Sequence, residues 1–382
     1  MLFKPYSAGW LIMLTTSILP VTLEAQYNFY FGNIHAHTSY SDGCKDCAVG
    51  EIRTPQHCFQ FAKQTEHFNF LGISEHNHNV NGVGMHLENY AKGLAQADEE
   101  NDDGTFVCMY GIEFGLNSNG HVLIYGLDKL PGWERDPDNF DVFCDKDDYT
   151  KLWKLVNDAN GFATLAHPET PQFNHLRNSA RRPSADKAIC GSALANGLHD
   201  SHVLDYSERR SFQFLGYYMT LLANGYHLGP TIDHDNHNTT FGRTGASRTV
   251  VLARALKRDS IIAAYKAMRF YASQDWNIEV TMTIKSRPMG SQLSSAAAPI
   301  VRVNVNDPDG YDDRIDYIRV WFGRAGSGAK ATPLASVAEE NFIICTDNNG
   351  VAGNVYYYYA EVVQKDGDIV ITAPIWVRKN NP

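Results

Sequence analysis

The chain has 382 residues, of which 43% are hydrophobic and 20% are charged, and its formal net charge is −10. This length is too great for one small core and predicts a large domain accompanied by a smaller one. The acidic balance excludes a general nucleic-acid surface, for which a basic stripe is expected, although bound metal ions could still make one site locally positive.

Residues 1–25 have the pattern of a secretory signal peptide. Lys4 provides a short positive start, Trp10 to Leu23 form the apolar core, and Ala25 offers a small residue for cleavage. The apolar core is interrupted by polar residues and is too short for a confident membrane span. The alternative interpretation of residues 1–25 is an uncleaved N-terminal anchor. We therefore expect an exported, soluble mature protein, periplasmic or extracellular, without a membrane span.

Seven cysteines in an exported chain predict disulfides rather than free thiols. Cys44 and Cys47 form a C-x2-C pair, but no second pair follows to complete a zinc knuckle. A local disulfide, or pairing of either residue with Cys58, is the expected state. The odd count leaves at least one thiol unpaired within the chain.

The stretch from Tyr30 to Gly43 combines an apolar, strand-like run with a polar turn. His35 and His37 are two residues apart, so on a strand both imidazoles point to the same face and can approach one cation. Asp42 adds a carboxylate in the turn that follows. Because the chain has 15 histidines, a bare His-x-His also fits a structural pair, and further ligands are needed to predict a metal site.

Downstream, apolar strands alternate with helical segments, and polar clusters follow the strands. Glu75-His76 and Glu113 end two predicted strands, and His167 ends another. In parallel α/β folds the carboxyl ends of the strands carry the chemistry. The predicted helices are 54–67, 85–100, 149–160, 212–224 and 260–269; the predicted strands are 70–74, 105–110, 122–126, 162–166 and 231–237, with a long polar insertion at 171–212 over the site.

From about residue 286 the pattern changes to alternating or continuous apolar runs with Gly, Asp and Pro turns. This pattern predicts a small β-sandwich-like module over residues 286–382, after an α/β domain over 26–285. Asp307, Asp309, Asp312 and Asp313 could bind calcium, but an acidic turn between strands is the expected interpretation.

Counted together, the strand-end clusters give a mixed nitrogen and oxygen ligand set that is too large for one ion and sufficient for two or three. Asp233 shares a strand face with Asp235 and competes with it as a ligand. The predicted ligands are His35, His37, Asp42, His76, Glu113, His121, His167, Asp235 and His237.

These motifs, in this order over residues 28–240, resemble those of the PHP (polymerase and histidinol phosphatase) family: His-Ala-His-Thr, Ser-Asp-Gly, Ser-Glu-His, Gly-Ile-Glu, Ala-His-Pro and Asp-Asn-His. The resemblance implies a distorted (β/α)7 barrel, a trinuclear zinc, iron or manganese site and phosphoesterase activity. The exported form and the β-rich C-terminal module look like the branch of carbaryl-hydrolase-like metallohydrolases.

By matching position, the resemblance places three metals. His35, His37, Glu113 and Asp235 would hold one; Glu113 would bridge to a second, completed by His121 and His167; Asp42, His76 and His237 would hold the third. The family usually has Asp-His where this chain has Glu75-His76, so Glu75 is expected to support a ligand rather than to be one.

The expected reaction is hydrolysis, with a metal-bound hydroxide attacking phosphorus and the metals stabilising the developing charge. His78 could act as the leaving-group acid, as could His199, His202 or His234. Arg243 could bind a phosphate, as could Arg177, Arg181 and Arg182 in the insertion, although isolated arginines are more often solvated surface groups.

Two alternatives remain open from the sequence. The same site could cleave a carbamate, ester or amide, because a metal polarises carbonyl and phosphoryl oxygens alike. The chain could also be an exported, non-catalytic binding protein with structural metals. In either enzymatic case the expected partner is a small-molecule ester with no stable nucleic-acid partner, and the sequence leaves the oligomeric state undetermined.

Overall fold

The computed structural model describes residues 27–80, 83–116, 118–134, 139–169, 171–197, 199–309 and 313–381. The predicted signal peptide lies outside these residues. None of the helices formed by the described residues is long and apolar enough to cross a membrane.

The helices of the described residues are short and lie in the first three quarters of the chain. They are α1 (Pro55–Ala62), α2 (Leu87–Glu100), α3 (Tyr149–Asp158), α4 (Asn174–Arg177), α5 (Pro183–Ala188), α6 (Leu215–Asn224) and α7 (Arg258–Lys266).

The strands before residue 275 alternate with these helices. They are β1 (Asn28–Asn33), β2 (Phe70–His76), β3 (Asn79–Val80), β4 (Val83–Gly84), β5 (Val107–Phe114), β6 (Val122–Tyr125), β7 (Pro131–Gly132), β8 (Val142–Phe143), β9 (Phe162–Leu165), β10 (Ile189–Asn196), β11 (Gly229–Asp233), β12 (Arg248–Ala253) and β13 (Phe270–Ser273).

Strands alone follow to the end of the described chain. They are β14 (Glu279–Ile284), β15 (Arg287–Pro288), β16 (Gln292–Ser295), β17 (Ile300–Asn306), β18 (Ile315–Arg324), β19 (Thr332–Ala338), β20 (Phe342–Thr346), β21 (Val355–Gln364), β22 (Ile369–Thr372) and β23 (Ile375–Lys379).

Most helices were predictable because their apolar residues repeat at helical spacing. In α3 the buried residues Tyr149, Leu152, Trp153 and Val156 form one face. Helix α1 begins as expected, with Thr54 as cap and proline in its first turn, but ends at Ala62 rather than near residue 67. His67 has a positive φ of 46°, which a helix does not accommodate.

The fold is mixed α/β and is built on one large sheet. Its hydrogen-bonded order is β11-β10-β9-β6-β5-β2-β1-β12-β13-β22-β21-β18-β19, with β16 and β23 attached off this path. Neighbours β1/β2, β2/β5, β9/β10 and β10/β11 are parallel, as the strand–helix alternation predicts, whereas β6 is antiparallel to both β5 and β9.

The barrel implied by the resemblance is not closed by a continuous ladder in the described residues. The edge strand β11 nevertheless approaches β12, where the Thr249 hydroxyl accepts from Ile232 N at 2.9 Å and lies 3.2 Å from Ile232 O. Beyond β11, a single parallel bridge joins Ala36 to Asn236. The edge strand β11 therefore meets β12 and the segment after β1 through isolated contacts rather than through a ladder.

The predicted polar insertion at 171–212 is only partly correct. Residues 189–196 form β10, which is buried and pairs with both β9 and β11. Its sequence, ICGSALAN, contains small residues and only two bulky aliphatic ones, and so lacks a strong strand signal. Gly191 lies against the Thr164 and Thr231 side chains, where close packing of the sheet leaves little room for a side chain.

The last third of the chain is β-rich, as predicted. Strands β15-β14-β17-β20 form a four-stranded antiparallel sheet, while β22, β21, β18 and β19 continue the large sheet. Pairing of β13 with β22 joins the α/β part to these strands directly. The division at residue 286 remains a prediction.

Candidate metal centre

The nine predicted ligands converge on one pocket at one end of the large sheet. Each lies at or just beyond a strand end, or in a turn near it, so the backbone fixes its position while leaving its side chain free to point into the pocket. His35 and His37 follow β1, His76 ends β2, Glu113 lies near the end of β5, and His167 follows β9. Asp42 and His121 lie in turns, and Asp235 and His237 follow β11.

Asp235 and His37 contribute to the most buried part of the cluster, together with His35 and Glu113. The ligand atoms of these residues all lie within 4.8 Å of one another. Asp235 Oδ1 is 3.1 Å from both His35 Nε2 and His37 Nε2, and Glu113 Oε2 is 3.2 Å from His37 Nε2. Four donors of this kind suit a zinc, iron or manganese ion.

A second group forms where the turn after His37 folds over the pocket. Asp42, His76 and His237 offer ligand atoms within 4.8 Å, and His37 belongs to this group as well. His237 Nε2 is 3.2 Å from Asp42 Oδ2, and His76 Nε2 is 3.7 Å from the same oxygen. The family resemblance implied His37 as a ligand of the first group only.

Glu113 links the groups. Its Oε1 lies 2.9 Å from His121 Nδ1 and 3.0 Å from His167 Nε2, and its Oε2 lies 3.3 Å from His76 Nδ1. With the contacts to His35 and His37, one carboxylate touches five imidazoles. His76 thus stands between two groups, whereas the sequence placed it in one.

The carboxylates of the cluster are held in their ionised form. Burial favours the protonated acid, but the imidazoles, led by His121, lower the pKa of Glu113 well below its ordinary value. Burial also favours the protonated form of Asp235, but the adjacent His35 outweighs burial and lowers the pKa of that carboxyl. Burial lowers the pKa of His76 to about 3, which keeps this imidazole neutral and able to ligate a cation.

The donor set fits bound metal ions, because the cluster leaves polar atoms unsatisfied. Buried nitrogens of His35, His37, His76 and His121, and Glu113 Oε2, lie close to oppositely charged groups but have no hydrogen bond of good geometry within the described residues. Buried polar atoms normally have one, and several orphans at a single point call for a ligand. Burial lowers the pKa of His37, but Asp235 and Glu113 raise it to about 10, so a cation binding there would displace a proton.

Asp233 and Asp235, of which Asp235 is the predicted ligand, occupy different places. Asp233 Oδ2 lies 3.2 Å from His35 Nδ1, on the side of the ring away from the other ligands. Asp235 faces the pocket and is fixed by Asn196, whose side-chain nitrogen donates to Asp235 Oδ2 at 2.7 Å. Asp233 therefore lies behind the candidate ligand His35, where a carboxylate sets the orientation and tautomer of the ring.

Glu75 supports the turn that carries Asp42. It accepts hydrogen bonds from the Thr38 backbone and from the hydroxyls of Thr38 and Ser41. Burial raises the pKa of Glu75 to about 7. Its contacts hold the turn after His37 in place, in agreement with the supporting role expected from the sequence.

Two candidate ligands sit on unusual backbone. Asp235 has φ +51° and His167 has φ +26°, both in the region that non-glycine residues rarely adopt. Such conformations cluster at functional sites, where the surrounding structure holds them. At these positions the strands β9 and β11 stop and the side chains turn into the pocket.

The turn after Asp42 carries the local disulfide that the C-x2-C spacing suggested. Cys44 and Cys47 are bonded, with their Cα atoms 5.2 Å apart. Cys58, one of the alternatives, is a buried free thiol. Cys108, Cys144, Cys190 and Cys345 are free thiols as well, so the prediction of disulfides rather than free thiols is correct for one pair only. The disulfide closes the turn beside the metal pocket.

A cleft of about 760 Å³ opens above the cluster. Its walls include two cationic side chains, Lys45 and Arg210, and His199. Lys45 Nζ is 3.1 Å from Asp200, while the buried Arg210 Nε has no hydrogen-bond partner in the described residues. The arginines predicted from the insertion did not include Arg210. Its sequence neighbours, such as Gln213 and Phe214, form no pattern that would have selected it.

Several weaker candidates are not brought to this cleft. The Arg243 guanidinium stacks on Phe61 at 4.1 Å and donates to Thr65. His234 is buried against Phe68 and bonds Ser247 O. These contacts place both residues in structural roles.

His78 lies behind the cluster rather than in the cleft wall. Its ring is 5.3 Å from His76 and 5.2 Å from Trp133, and burial lowers its pKa. Of the proposed acids, only His199 lines the cleft. Arg177 and Arg181 line a separate pocket.

No family model and no curated protein sequence matches this chain. Among solved structures it is similar to the lesion-specific endonuclease PfuEndoQ from Pyrococcus furiosus (14% identity, 63% of this chain, TM-score 0.37), of whose length it spans 56%. It is also similar to the fibronectin(III)-like modules of CbhA from Clostridium thermocellum (15% identity, 36% of this chain and 66% of that one, TM-score 0.18). TM-scores this low support no functional conclusion, so the interpretation of the site depends on its own geometry.

Proposed function

We propose that this chain is a metal-dependent hydrolase that binds two or three divalent zinc, iron or manganese ions and cleaves phosphoesters. One observation carries the proposal: a buried carboxylate, Glu113, contacts five imidazoles at a point where nine predicted ligands meet. A structural ion needs only four ligands and a closed site. Here more ligands than that line an open cleft.

The resemblance of the ordered motifs to the PHP family supports the same conclusion, since it implies a trinuclear phosphoesterase site. Ions bound here would lower the pKa of coordinated water and polarise a phosphoryl oxygen. The side chains of the chain would position these ions: Glu113 and Asp235 would hold the cations, and Asp233 would orient His35.

Arg210 and Lys45 favour an anionic substrate. Both line the cleft above the ligands, and a guanidinium is well suited to bind phosphoryl oxygens through two hydrogen bonds. Of the acids considered, His199 alone lines the cleft above the ligands, with its ring 5.6 Å from that of His237. We propose that Arg210 binds the substrate phosphate and that His199 protonates the leaving oxygen.

The test combines metal analysis with a substrate panel on the purified protein. The panel contains a nitrophenyl phosphate diester, the corresponding monoester and a naphthyl carbamate. We expect bound transition metal and turnover of a phosphoester. Metal-loaded protein that turns over none of these would overturn the hydrolase proposal, and turnover of the carbamate alone would overturn the phosphoester assignment.

Arg210→Gln tests the substrate-binding step separately. A charge-assisted hydrogen bond contributes about 1.5–3 kcal/mol, so KM for the phosphoester should rise roughly 10- to 100-fold with a smaller change in kcat. Arg209→Gln is the matched control, because Arg209 pairs with Asp366 and does not line the cleft. Equal KM values in the two variants would contradict the role of Arg210.

We also propose that the protein is exported, in line with the signal-like residues 1–25. The Cys44–Cys47 disulfide supports this, because such bonds persist in oxidising compartments. N-terminal sequencing of the protein recovered outside the cytoplasm should begin close to residue 26. Recovery only from the cytoplasm, with residues 1–25 retained, would contradict it.

A further inference from the structure

A second cluster of oxygen ligands lies far along the chain from the histidine centre. It forms where the β13–β14 connection, the β17–β18 connection and the end of β21 meet. We call it the acidic junction, and it consists of Asp275, Asn277, Asp307, Asp309 and Gln364.

The three carboxylates of the acidic junction approach one another closely. Asp275, Asp307 and Asp309 each offer an oxygen, and these oxygens lie within 4.8 Å of one another. Calcium binds oxygens at about 2.3–2.6 Å, so two ligands on opposite sides of one ion are about 4.6–5.2 Å apart. The spacing therefore suits a single calcium-sized cation.

Two buried amides provide an independent indication of a ligand. Gln364 and Asn277 are 1% and 8% exposed, yet among the described residues Gln364 Oε1 and Asn277 Oδ1 have no hydrogen-bond partner. Gln364 Nε2 lies 2.8 Å from Asp275 Oδ2 and 2.7 Å from Asp307 Oδ2, and Asn277 Nδ2 lies 2.9 Å from Asp309 Oδ1. Both amide groups thus point into the acidic junction.

An amide can exchange its oxygen and nitrogen by rotating half a turn, at little steric cost. In the present orientation each amide satisfies carboxylates but leaves its own oxygen buried without a partner, which costs free energy. With a cation between the carboxylates, the rotated amides would present their oxygens to the ion. The Asp313 backbone oxygen, 3.2 Å from Gln364 Nε2, would then also face it.

We propose that the acidic junction binds a hard divalent cation of the calcium class. The donors are three carboxylates, two amide oxygens and a backbone carbonyl, which match the all-oxygen shell of six to eight ligands that calcium prefers. No imidazole or thiol belongs to the set, so the ion differs in kind from those of the histidine centre. The site is independent of the proposed hydrolase activity.

The position of the acidic junction suggests what the ion does. Asp275 and Asn277 lie where the chain leaves the large sheet after β13 and enters the small sheet through β14, while Gln364 ends β21 of the large sheet. One ion would therefore tie both sheets of the C-terminal strands to the connection from the α/β part. Its expected effect is on stability rather than on catalysis.

The test uses the full chain with its transition metals bound, dialysed against calcium-free buffer and then given calcium. We expect calcium to raise Tm by a few degrees and to bind with a stoichiometry of about one per chain in calorimetry. Magnesium should act more weakly, because it demands a smaller octahedral shell. Terbium should luminesce on excitation of Trp276, which lies between Asp275 and Asn277 in the sequence.

Asp309→Asn is the principal variant, because Asp309 is exposed and its substitution should leave the fold intact. It should lose the calcium-dependent rise in Tm and the terbium signal. Glu340→Gln, an exposed acidic residue of the same module, is the charge-matched control and should keep both. A calcium response unchanged in Asp309→Asn and in Asp307→Asn, or no calcium binding by the wild-type chain, would overturn the proposal.

Discussion

Glu113→Gln is the substitution that most directly tests the metal centre. Glutamine has nearly the same size but replaces one carboxylate oxygen with an amide nitrogen that cannot ligate a cation, and it removes a negative charge. Glu113 is 1% exposed, so water cannot replace the lost oxygen without rearrangement. We therefore expect loss of the ion or ions that Glu113 holds, accompanied by loss of turnover.

The magnitude follows from the contacts of this one side chain. Both Glu113 oxygens lie within 3.3 Å of imidazole nitrogens that would share its cations. Removing one partner from a buried, charge-paired arrangement costs about 3–5 kcal/mol. Because about 1.4 kcal/mol corresponds to a tenfold change in affinity, metal binding should weaken by roughly 10²–10⁴-fold.

The assay measures metal content per chain after dialysis against a metal buffer, together with turnover of the best phosphoester from the panel. Asp347→Asn is the control, since Asp347 is a buried acid bonded to Tyr358, with no imidazole contact among its hydrogen bonds and ion pairs in the described residues. The control should keep its metal and activity. Full metal content and near wild-type turnover in Glu113→Gln would refute the bridging role.

Three further predictions concern residues outside the ligand set. Asp233→Asn weakens the hold on His35, and metal affinity measured by competition with a chelator should fall about 10- to 100-fold. Thr249→Val removes the hydroxyl that bonds Ile232, and the free energy of unfolding in urea should fall by about 1–3 kcal/mol. Burial and a neighbouring carboxylate raise the pKa of Asp368 from 3.8 to about 6, so the folded protein keeps this proton to higher pH than the unfolded chain. Its contribution to the free energy of unfolding therefore falls as pH rises from about 4 to 6, and Asp368→Asn, compared with wild type in EGTA, should flatten that part of the profile.

Each of these has an outcome that contradicts it. Unchanged chelator competition in Asp233→Asn would mean that His35 needs no support from this carboxylate. Thr249→Val keeps the methyl group and loses only the hydroxyl, so wild-type stability in this variant would contradict the contribution of the hydroxyl. An Asp368→Asn profile parallel to wild type would mean that this proton is not retained in the folded state.

The sequence predicted the ligand types well because each motif is local. His35 and His37 lie two apart, and that spacing alone predicted that they share a face, although both follow β1 rather than belong to it. The helices with clear apolar periodicity, such as α3 and α6, were predictable for the same reason. Strand β10 was missed, because small residues pack closely between β9 and β11 without a local pattern to mark them.

The sequence by itself determined which side chains are available at the strand ends and that they include enough imidazoles and carboxylates for several ions. Only the tertiary structure decided how they are shared: Asp233 lies behind His35, His76 stands between two groups, and Arg210 enters the cleft. The physical reason is distance. His35 and Asp233 are 198 residues apart in the chain, and differences of an ångström between such segments decide whether a side chain ligates, supports a ligand or does neither.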